Sequence, residues 1–216
     1  AEVSIDGASG LWPFMRSDDL RAAAYEPRAG YADASMLAQY FAGRARSAGA
    51  RIHQQTEVTR VLTAEDRVTG VELSDGTQVE ADAVVVAAGW WSSVLLDTVQ
   101  VEVPLQGFRV GMMVMRAGRD VSGLPVLSDL ATLHYARPDG DDRLVVGNSD
   151  HSDPVYVHPD DYTDRMTDGE LERAAAKVTH RYEAFADAAV SHTYAGCYDI
   201  TPDWNPVISG CGIDGL

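Results

Sequence analysis

The sequence predicts a mixed α/β chain with an incomplete parallel sheet, a small β-meander and a second, mixed and largely antiparallel sheet with helices. Three observations predict this class. Apolar residues recur at helical spacing after Asp33 and after Asp168, and short alternating segments separated by turn residues lie between positions 57 and 80. The run 83–88 is continuously apolar. Such a run must be covered on both faces, which is typical of a parallel sheet.

The first half begins with an extended segment and a helix. The segment 24–31 is expected to pair into the antiparallel sheet. Asp33 is a favourable N-cap, and Gly49 is suited to end the helix that follows. The apolar positions of this helix recur at its spacing: Leu37, Tyr40, Phe41, Ala45 and Ala48.

Five strands are predicted after this helix. The Asp75-Gly76 pair favours a hairpin turn. The strands cover residues 50–53, 57–63, 68–73, 78–80 and 83–88. The first and last of them are expected to be inner strands of the parallel sheet, and the three between them form the meander.

The second half predicts the antiparallel sheet and one more helix. Its strands are expected at 103–115, 132–136 and 144–147, and an amphipathic helix at 168–187. Near the end, Pro206 to Ile208 is expected to start a buried strand.

Composition narrows the function classes. The net charge is -16, from 33 acidic and 17 basic residues, which disfavours binding to nucleic acids and to anionic membranes. Asp outnumbers Glu by 23 to 10, and the 17 basic residues are 16 arginines and one lysine, Lys177. This composition is typical of proteins from a salt-rich cytoplasm. An ordinary acidic protein from a GC-rich genome is the alternative. No run of about 18 apolar residues occurs, two cysteines do not make a metal site, and a cytoplasmic location is expected.

Small residues follow the predicted strand 83–88. Ala87, Ala88 and Gly89 would let a ligand approach the backbone closely at the carboxyl end of a parallel strand. This position favours a cofactor site, and a simple turn into the next segment is the alternative.

The order of several short segments resembles the D-amino-acid oxidase superfamily of FAD enzymes. These segments are GYAD, ARIH, TEVTRV, RVTGVELSDG, ADAVVVAAGWWSSVL, PLQGFRV, RLVVGNSD and YAGCYDITPDWNPVIS. The similarity is greatest to the sarcosine, dimethylglycine and glycine oxidase branch. It implies an FAD-dependent enzyme that oxidises the C–N bond of an amino acid or N-methylated amino acid by hydride transfer to flavin.

The resemblance also implies cofactor-binding positions. Val58 would contact adenine through its backbone, while Ala87, Ala88, Gly89 and Trp90 would pack against FAD. The strand that leads to the flavin loop would contain Pro206 and Ile208.

The resemblance places the substrate at other residues. Tyr135 would face the reactive side of the flavin, and Ser149 falls near a position where some sarcosine oxidases carry a histidine. Arg109 and Arg137 are weaker candidates for binding a substrate carboxylate. Tyr198 replaces the arginine that glycine oxidases use as a carboxylate clamp.

The family's N-terminal strand, GxGxxG turn and helix, and its C-terminal flavin loop, are expected to lie outside this sequence. The chain is therefore expected to be an interior fragment that is inactive and does not retain FAD. The expected domains are 33–97 with 196–216 for FAD, and 1–32 with 98–195 for substrate. Expected partners are an amino-acid-like substrate, the remaining segments of its own polypeptide and a second copy bound through an open sheet edge. A 2-hydroxy acid or glycerol-3-phosphate dehydrogenase-like enzyme and a non-catalytic interaction module are the alternatives.

Overall fold

The computed structural model describes residues 2–216, which divide into two compact units. The first unit comprises 1–32, 109–155 and 161–197, and the second comprises 33–108, 156–160 and 198–216. The mixed α/β class is confirmed. The assignment of the expected domains to FAD and substrate stays a prediction.

Four α-helices and eleven strands form the described chain. The helices are α1 (Ile5–Leu11), α2 (Ala34–Ser47), α3 (Trp91–Asp97) and α4 (Asp168–Arg181), with a short 3-10 helix at Glu183–Phe185. The strands are β1 (Glu2–Val3), β2 (Ala23–Ala24), β3 (Val58–Ala64), β4 (Arg67–Leu73), β5 (Gln78–Glu80), β6 (Gln106–Arg116), β7 (Leu127–Asp129), β8 (His134–Pro138), β9 (Arg143–Asn148), β10 (Val155–Tyr156) and β11 (Val190–Ile200).

Strand pairing produces three sheets. The largest has six strands, in the order β10–β6–β9–β8–β7, with β11 also paired to β6. The predicted meander is present as the antiparallel sheet β3–β4–β5, and β1 pairs with β2 in a separate two-stranded sheet. The extended segment 24–31 therefore does not join the large sheet, because its only strand residue, Ala24, is paired with Glu2.

The two expected parallel strands are absent from the described residues. Segments 50–53 and 83–88 are not assigned as strands, and Val85 is 89% exposed. A strand requires a series of backbone hydrogen bonds to a neighbouring strand. In the segment 83–88, Val84 N–H donates to the Gly215 carbonyl at 2.8 Å, and no ladder of such bonds continues from it among the described residues. Pro206 to Ile208 is not a strand either, and Ile208 is 90% exposed.

The first unit contains the main hydrophobic core, which lies between the large sheet and α4. Thr167 and Glu170 cap the start of α4 through a reciprocal capping box. The helix ends at Arg181, earlier than expected, because Tyr182 leaves helical geometry with φ -130° and its ring enters the core. The buried members of this core are Trp12, Met113, Met115, Ala117, Val121, Ala136, Leu144, Val146, Val178, Tyr182 and Phe185.

A buried charge network closes the same core. Arg181 is fully buried and donates to Asp129 at 2.6 Å, to Asp19 at 2.6 Å and to the Arg16 carbonyl. Burial opposes ionisation of Asp129, but hydrogen bonds from Thr132 and Arg181 outweigh it and lower the pKa of this carboxyl group. The network thereby joins the end of α4 to the chain before β8.

None of the helices described between residues 2 and 216 is long and apolar enough to cross a membrane.

Candidate functional site

The predicted substrate residues lie on the large sheet of the first unit. Tyr135 is on β8, directly opposite Gly147 on β9, which in turn is opposite Met112 on β6. Residues paired across neighbouring strands point to the same face of a sheet, and consecutive residues of one strand point to opposite faces. Ala136, which follows Tyr135, points into the core beneath α4. This row of three residues therefore lies on the sheet face that points away from α4.

Gly147 makes room for the tyrosine ring. A Cβ atom at this position would clash with the phenol ring of Tyr135. Any larger residue at 147 must displace Tyr135, so the glycine fixes where the phenol ring lies.

Ser149 lies two residues beyond this row. Its backbone N–H donates to the Leu133 carbonyl at 3.0 Å. Lys177, from α4, donates to the same carbonyl and to Asn148 Oδ1, both at 2.9 Å. Partial burial lowers the pKa of this lysine. Ser149 thus directly follows β9, the strand next to the one that contains Tyr135, and both residues stay candidates for contact with substrate.

Arg109 is on the other face of the sheet. It lies four positions before the core residue Met113 on β6, so the two side chains share a face and Arg109 points toward α4. Its guanidinium donates to Glu170 at 2.6 Å, to the Thr163 carbonyl at 2.8 Å and to the Arg165 carbonyl. The structure therefore gives Arg109 a role in anchoring the segment before α4. Its predicted binding of a substrate carboxylate stays a prediction, and its donors are already engaged.

Arg137 shares the face of Tyr135. It lies over the Tyr31 ring, with its guanidinium carbon 4.6 Å from the ring centroid, and is 3.6 Å from Asp139. The Tyr31 hydroxyl donates to the Pro138 carbonyl at 3.1 Å. A carboxylate ligand would compete with Asp139 for this guanidinium.

The predicted cofactor residues lie in the second unit, and Val58 is at an edge of its sheet. β3 is an outer strand, paired on one side with β4. The Glu57 carbonyl accepts from Ser74 N–H at 3.0 Å. Because the C=O and N–H of one peptide unit point in opposite directions, the Val58 N–H points toward the open edge. This direction fits a backbone contact with the adenine edge of FAD.

The turn at Gly89 has the small, open backbone that a cofactor would need. Gly89 has φ +56°, and both Ala87 and Gly89 are exposed. Internal hydrogen bonds hold the turn: Ala88 N–H donates to Ser92 Oγ and Ser92 N–H donates to the Gly89 carbonyl, each at 3.0 Å. An added Cβ at Gly89 would lie 3.4 Å from Asp199 Oδ2.

Sequence reasoning missed the residues that surround this turn. The Trp90 ring lies against His158, with centroids 4.6 Å apart, and Trp91 Nε1 donates to Asp160 Oδ2 at 3.1 Å. No local pattern connects residues 158 and 160 to residues 90 and 91, because they are far apart in the sequence. The helix α3 that follows the turn was not predicted either.

A separate cavity of about 590 Å³ lies in the first unit, beside α1 and β2. None of the predicted site residues lines it. No cluster of three or more metal-ligating side chains occurs among residues 2–216.

Comparison with known proteins identifies the family. The family described as DAO, FAD dependent oxidoreductase, matches residues 2–216. The chain belongs to this family. Its members are FAD-dependent, so Val58 and the Gly89 turn occur in a chain whose relatives use this cofactor.

Two curated relatives define the neighbourhood within the family. The chain is 30% identical over 203 residues to the sarcosine oxidase subunit beta of an Arthrobacter species, covering 92% of this chain and 48% of the relative. It is 29% identical over 217 residues to the glycine oxidase of Pseudomonas aeruginosa, covering 100% of this chain and 56% of the relative. The chain thus spans about half the length of the curated relatives it matches.

Solved structures share the fold at lower identity. L-proline dehydrogenase from P. horikoshii superposes with a TM-score of 0.87 at 20% identity, covering 100% of this chain and 57% of that chain. Glycine oxidase from Geobacillus kaustophilus gives a TM-score of 0.76 at 22% identity, covering 95% of this chain and 52% of that chain. At these identities the likeness is one of fold.

Proposed function

We propose that this chain is part of an FAD-dependent oxidoreductase that oxidises the C–N bond of an amino acid or N-methylated amino acid. The family match over residues 2–216 carries the proposal. The names of the relatives, sarcosine oxidase and glycine oxidase among them, support an amine substrate.

The cofactor would be held by backbone of the second unit. The Val58 N–H would contact the adenine edge, and the small residues Ala87 to Gly89 would allow close packing against the dinucleotide. Trp90, Pro206 and Ile208 would add apolar contacts. When bound, FAD supplies the acceptor for the hydride that leaves the substrate.

The substrate would lie on the sheet face that carries Tyr135. The phenol, held by its contact with Gly147, would orient the substrate, and the buried sheet would exclude water from that side. Loss of a hydride from the carbon next to nitrogen converts the amine to an iminium ion, which water then hydrolyses to a carbonyl compound and an amine. Ser149 and Arg137 are the further polar groups proposed to contact substrate.

An activity assay tests the proposal. The complete reading frame that contains this sequence would be expressed, and bleaching of the flavin absorbance would be followed without oxygen. We expect sarcosine, dimethylglycine or proline to bleach the flavin, and 2-hydroxyglutarate to leave it unchanged. Bleaching by 2-hydroxyglutarate alone would support the hydroxy-acid alternative, and no bound flavin at all would contradict the proposal.

A tyrosine pair tests the substrate face. Tyr135→Phe is expected to slow bleaching by about tenfold or more, because the phenol no longer orients the substrate. Tyr40→Phe is the matched control, because Tyr40 is 61% exposed on α2 in the other unit. Equal rates for both variants would remove Tyr135 from the proposed site.

The chain of 216 residues is expected to bind FAD weakly by itself. Its GxGxxG spacing, at Gly210 to Gly215, is not followed by a helix within residues 2–216, so the pyrophosphate would lack the helix N-terminus that binds it in dinucleotide folds. After mixing with FAD and desalting, little flavin absorbance is expected to stay with the protein. Retention near one equivalent would contradict this expectation.

A further inference from the structure

We propose that His158 and Asp160 are positioning residues for the cofactor-binding turn at Gly89. The inference rests on the proposed function, since it assigns to this turn a contact with FAD. The segment 157–160, here called the clip, contacts the two tryptophans that directly follow Gly89. All of these residues belong to the second unit.

The clip is held by two hydrogen bonds of its own, one to the start of β6 and one within the clip. Val157 N–H donates to the Gly107 carbonyl at the start of β6, at 2.9 Å. Asp160 N–H donates to His158 Nδ1 at 3.3 Å, which folds the clip back on itself and fixes the imidazole ring. The two side chains that reach the tryptophans therefore come from a segment with its own hydrogen bonds.

Each side chain of the clip holds one tryptophan. The His158 ring meets the Trp90 ring at 69°, an edge-to-face geometry with centroids 4.6 Å apart. The Asp160 carboxylate accepts from the Trp91 indole at 3.1 Å, and hydrogen bonds to charged groups are the stronger kind. The two indole rings stand at 86° to each other, so the contacts restrain the turn from two directions.

Fixing the positions of Trp90 and Trp91 also fixes the backbone of Gly89, because hydrogen bonds join the two segments. Trp91 N–H donates to the Ala88 carbonyl at 3.1 Å, and Ser92 N–H donates to the Gly89 carbonyl at 3.0 Å. Gly89 has φ +56°, a conformation that glycine adopts without strain but does not by itself prefer over others. The clip therefore selects the one backbone conformation that presents Ala87 to Gly89 to the cofactor.

Hydrogen exchange of the ¹⁵N-labelled protein tests whether the clip holds the turn. Asp160→Ala is expected to speed exchange at the Trp91 and Ser92 amides by about three- to tenfold, the range that one lost hydrogen bond allows. Asp160→Asn should restore slow exchange, because its amide oxygen still accepts from the indole. Asp153→Ala, at an exposed carboxylate, is the matched control.

Cofactor affinity tests whether the restraint matters for FAD. Quenching of flavin fluorescence on titration with protein gives the dissociation constant. Asp160→Ala and His158→Ala are expected to weaken binding by about three- to tenfold. The apparent affinity falls in proportion to the fraction of molecules that hold the turn in its binding conformation. Asp160→Asn and His158→Phe should bind like the parent chain.

Three results would overturn the positioning role. Unchanged exchange in Asp160→Ala would show that the clip does not hold the turn. Faster exchange with unchanged FAD affinity would show a structural role alone. Absence of FAD binding by the protein expressed from the complete reading frame, with slow exchange at the turn, would contradict the proposed function and the positioning role with it.

Discussion

Helices α2 and α4 have the same length, 14 residues, but different surroundings. In α4, Val178 is 2% exposed and Arg181 is fully buried against the large sheet. No residue of α2 is buried, and Met36 is 71% exposed. Apolar spacing therefore predicts that a helix forms, but burial depends on a partner surface that helical periodicity does not specify.

The charges differ in the same way. Arg181 ends α4 inside the network with Asp19 and Asp129, whereas the last-turn arginines of α2, Arg44 and Arg46, carry no ion pair among the described residues. The first unit thus depends on buried polar pairs, and the region around α2 does not.

The largest expected effect breaks the buried network. Arg181→Ala leaves Asp129 buried without its cation, and we expect the free energy of unfolding to fall by about 3–5 kcal/mol. Urea denaturation measures this change. Arg143→Ala, which removes an exposed ion pair with Asp139, should cost at most about 1 kcal/mol. Similar losses for both variants would mean that burial of the network is unimportant.

A matched pair of truncations sharpens the helix comparison. Val178→Ala in α4 removes buried methyl groups and is expected to cost about 1–3 kcal/mol. Met36→Ala in α2 should stay within about 0.5 kcal/mol, since the side chain is exposed and alanine favours helix. Thermal unfolding distinguishes the two. A large loss from Met36→Ala would show that α2 packs against something in solution, such as a second copy.

Acid is expected to weaken the α4 side selectively through His134. Thr132 Oγ1 donates to Asp129 and so accepts from His134 Nδ1–H, which leaves Nε2 to accept from the Tyr182 hydroxyl at 3.2 Å. Burial lowers the pKa of His134 to about 4, below the usual 6.5. The unfolded chain then binds the proton first, so stability is present above pH 6.5 and is lost as the pH falls toward 4.

The expected loss between pH 6.5 and pH 5 is about 1–2 kcal/mol. Urea unfolding at several pH values measures it. His134→Gln should flatten this dependence, whereas His53→Ala, at an exposed histidine, should keep it. An unchanged slope in His134→Gln would assign the acid sensitivity to other groups.

Salt is expected to have the smallest effect on stability, and this effect comes from the charge of the whole surface. The net charge of -16 repels itself, and raising salt from about 0.1 M to above 1 M shortens the Debye length from about 10 Å to 3 Å. The melting temperature should therefore rise over this range, as the salt-rich cytoplasm interpretation predicts. A flat or falling melting temperature would favour the ordinary acidic protein.

Local sequence chemistry predicted α2, the meander and the start of α4. Asp33 caps α2 by accepting from Met36 N–H at 2.7 Å, and Gly49 follows the helix with φ +95°. The meander formed at the expected places because its turn residues and alternation act over short distances. By contrast, α4 ended before Asp187, since the packing of Tyr182 in the core took precedence over helical periodicity.

Long-range features were not predictable in this way. The run 83–88 has the pattern of a covered strand, but coverage requires a neighbour that is remote in sequence. The same holds for the contacts of His158 and Asp160 with the tryptophans. The family resemblance supplied Val58 and the Gly89 turn as site candidates, and residue-by-residue chemistry alone would have supplied only the small residues.

Lys177 has a practical consequence for labelling. It is the single lysine of the chain, and its ammonium is held by the Leu133 carbonyl and Asn148 beside Ser149. Apart from the α-amino group, an amine-reactive dye or a resin that couples to amines has this one attachment point, on α4. Molecules immobilised through Lys177 would therefore share one orientation, and the rate of coupling at Lys177 would report how often this ammonium leaves its two acceptors.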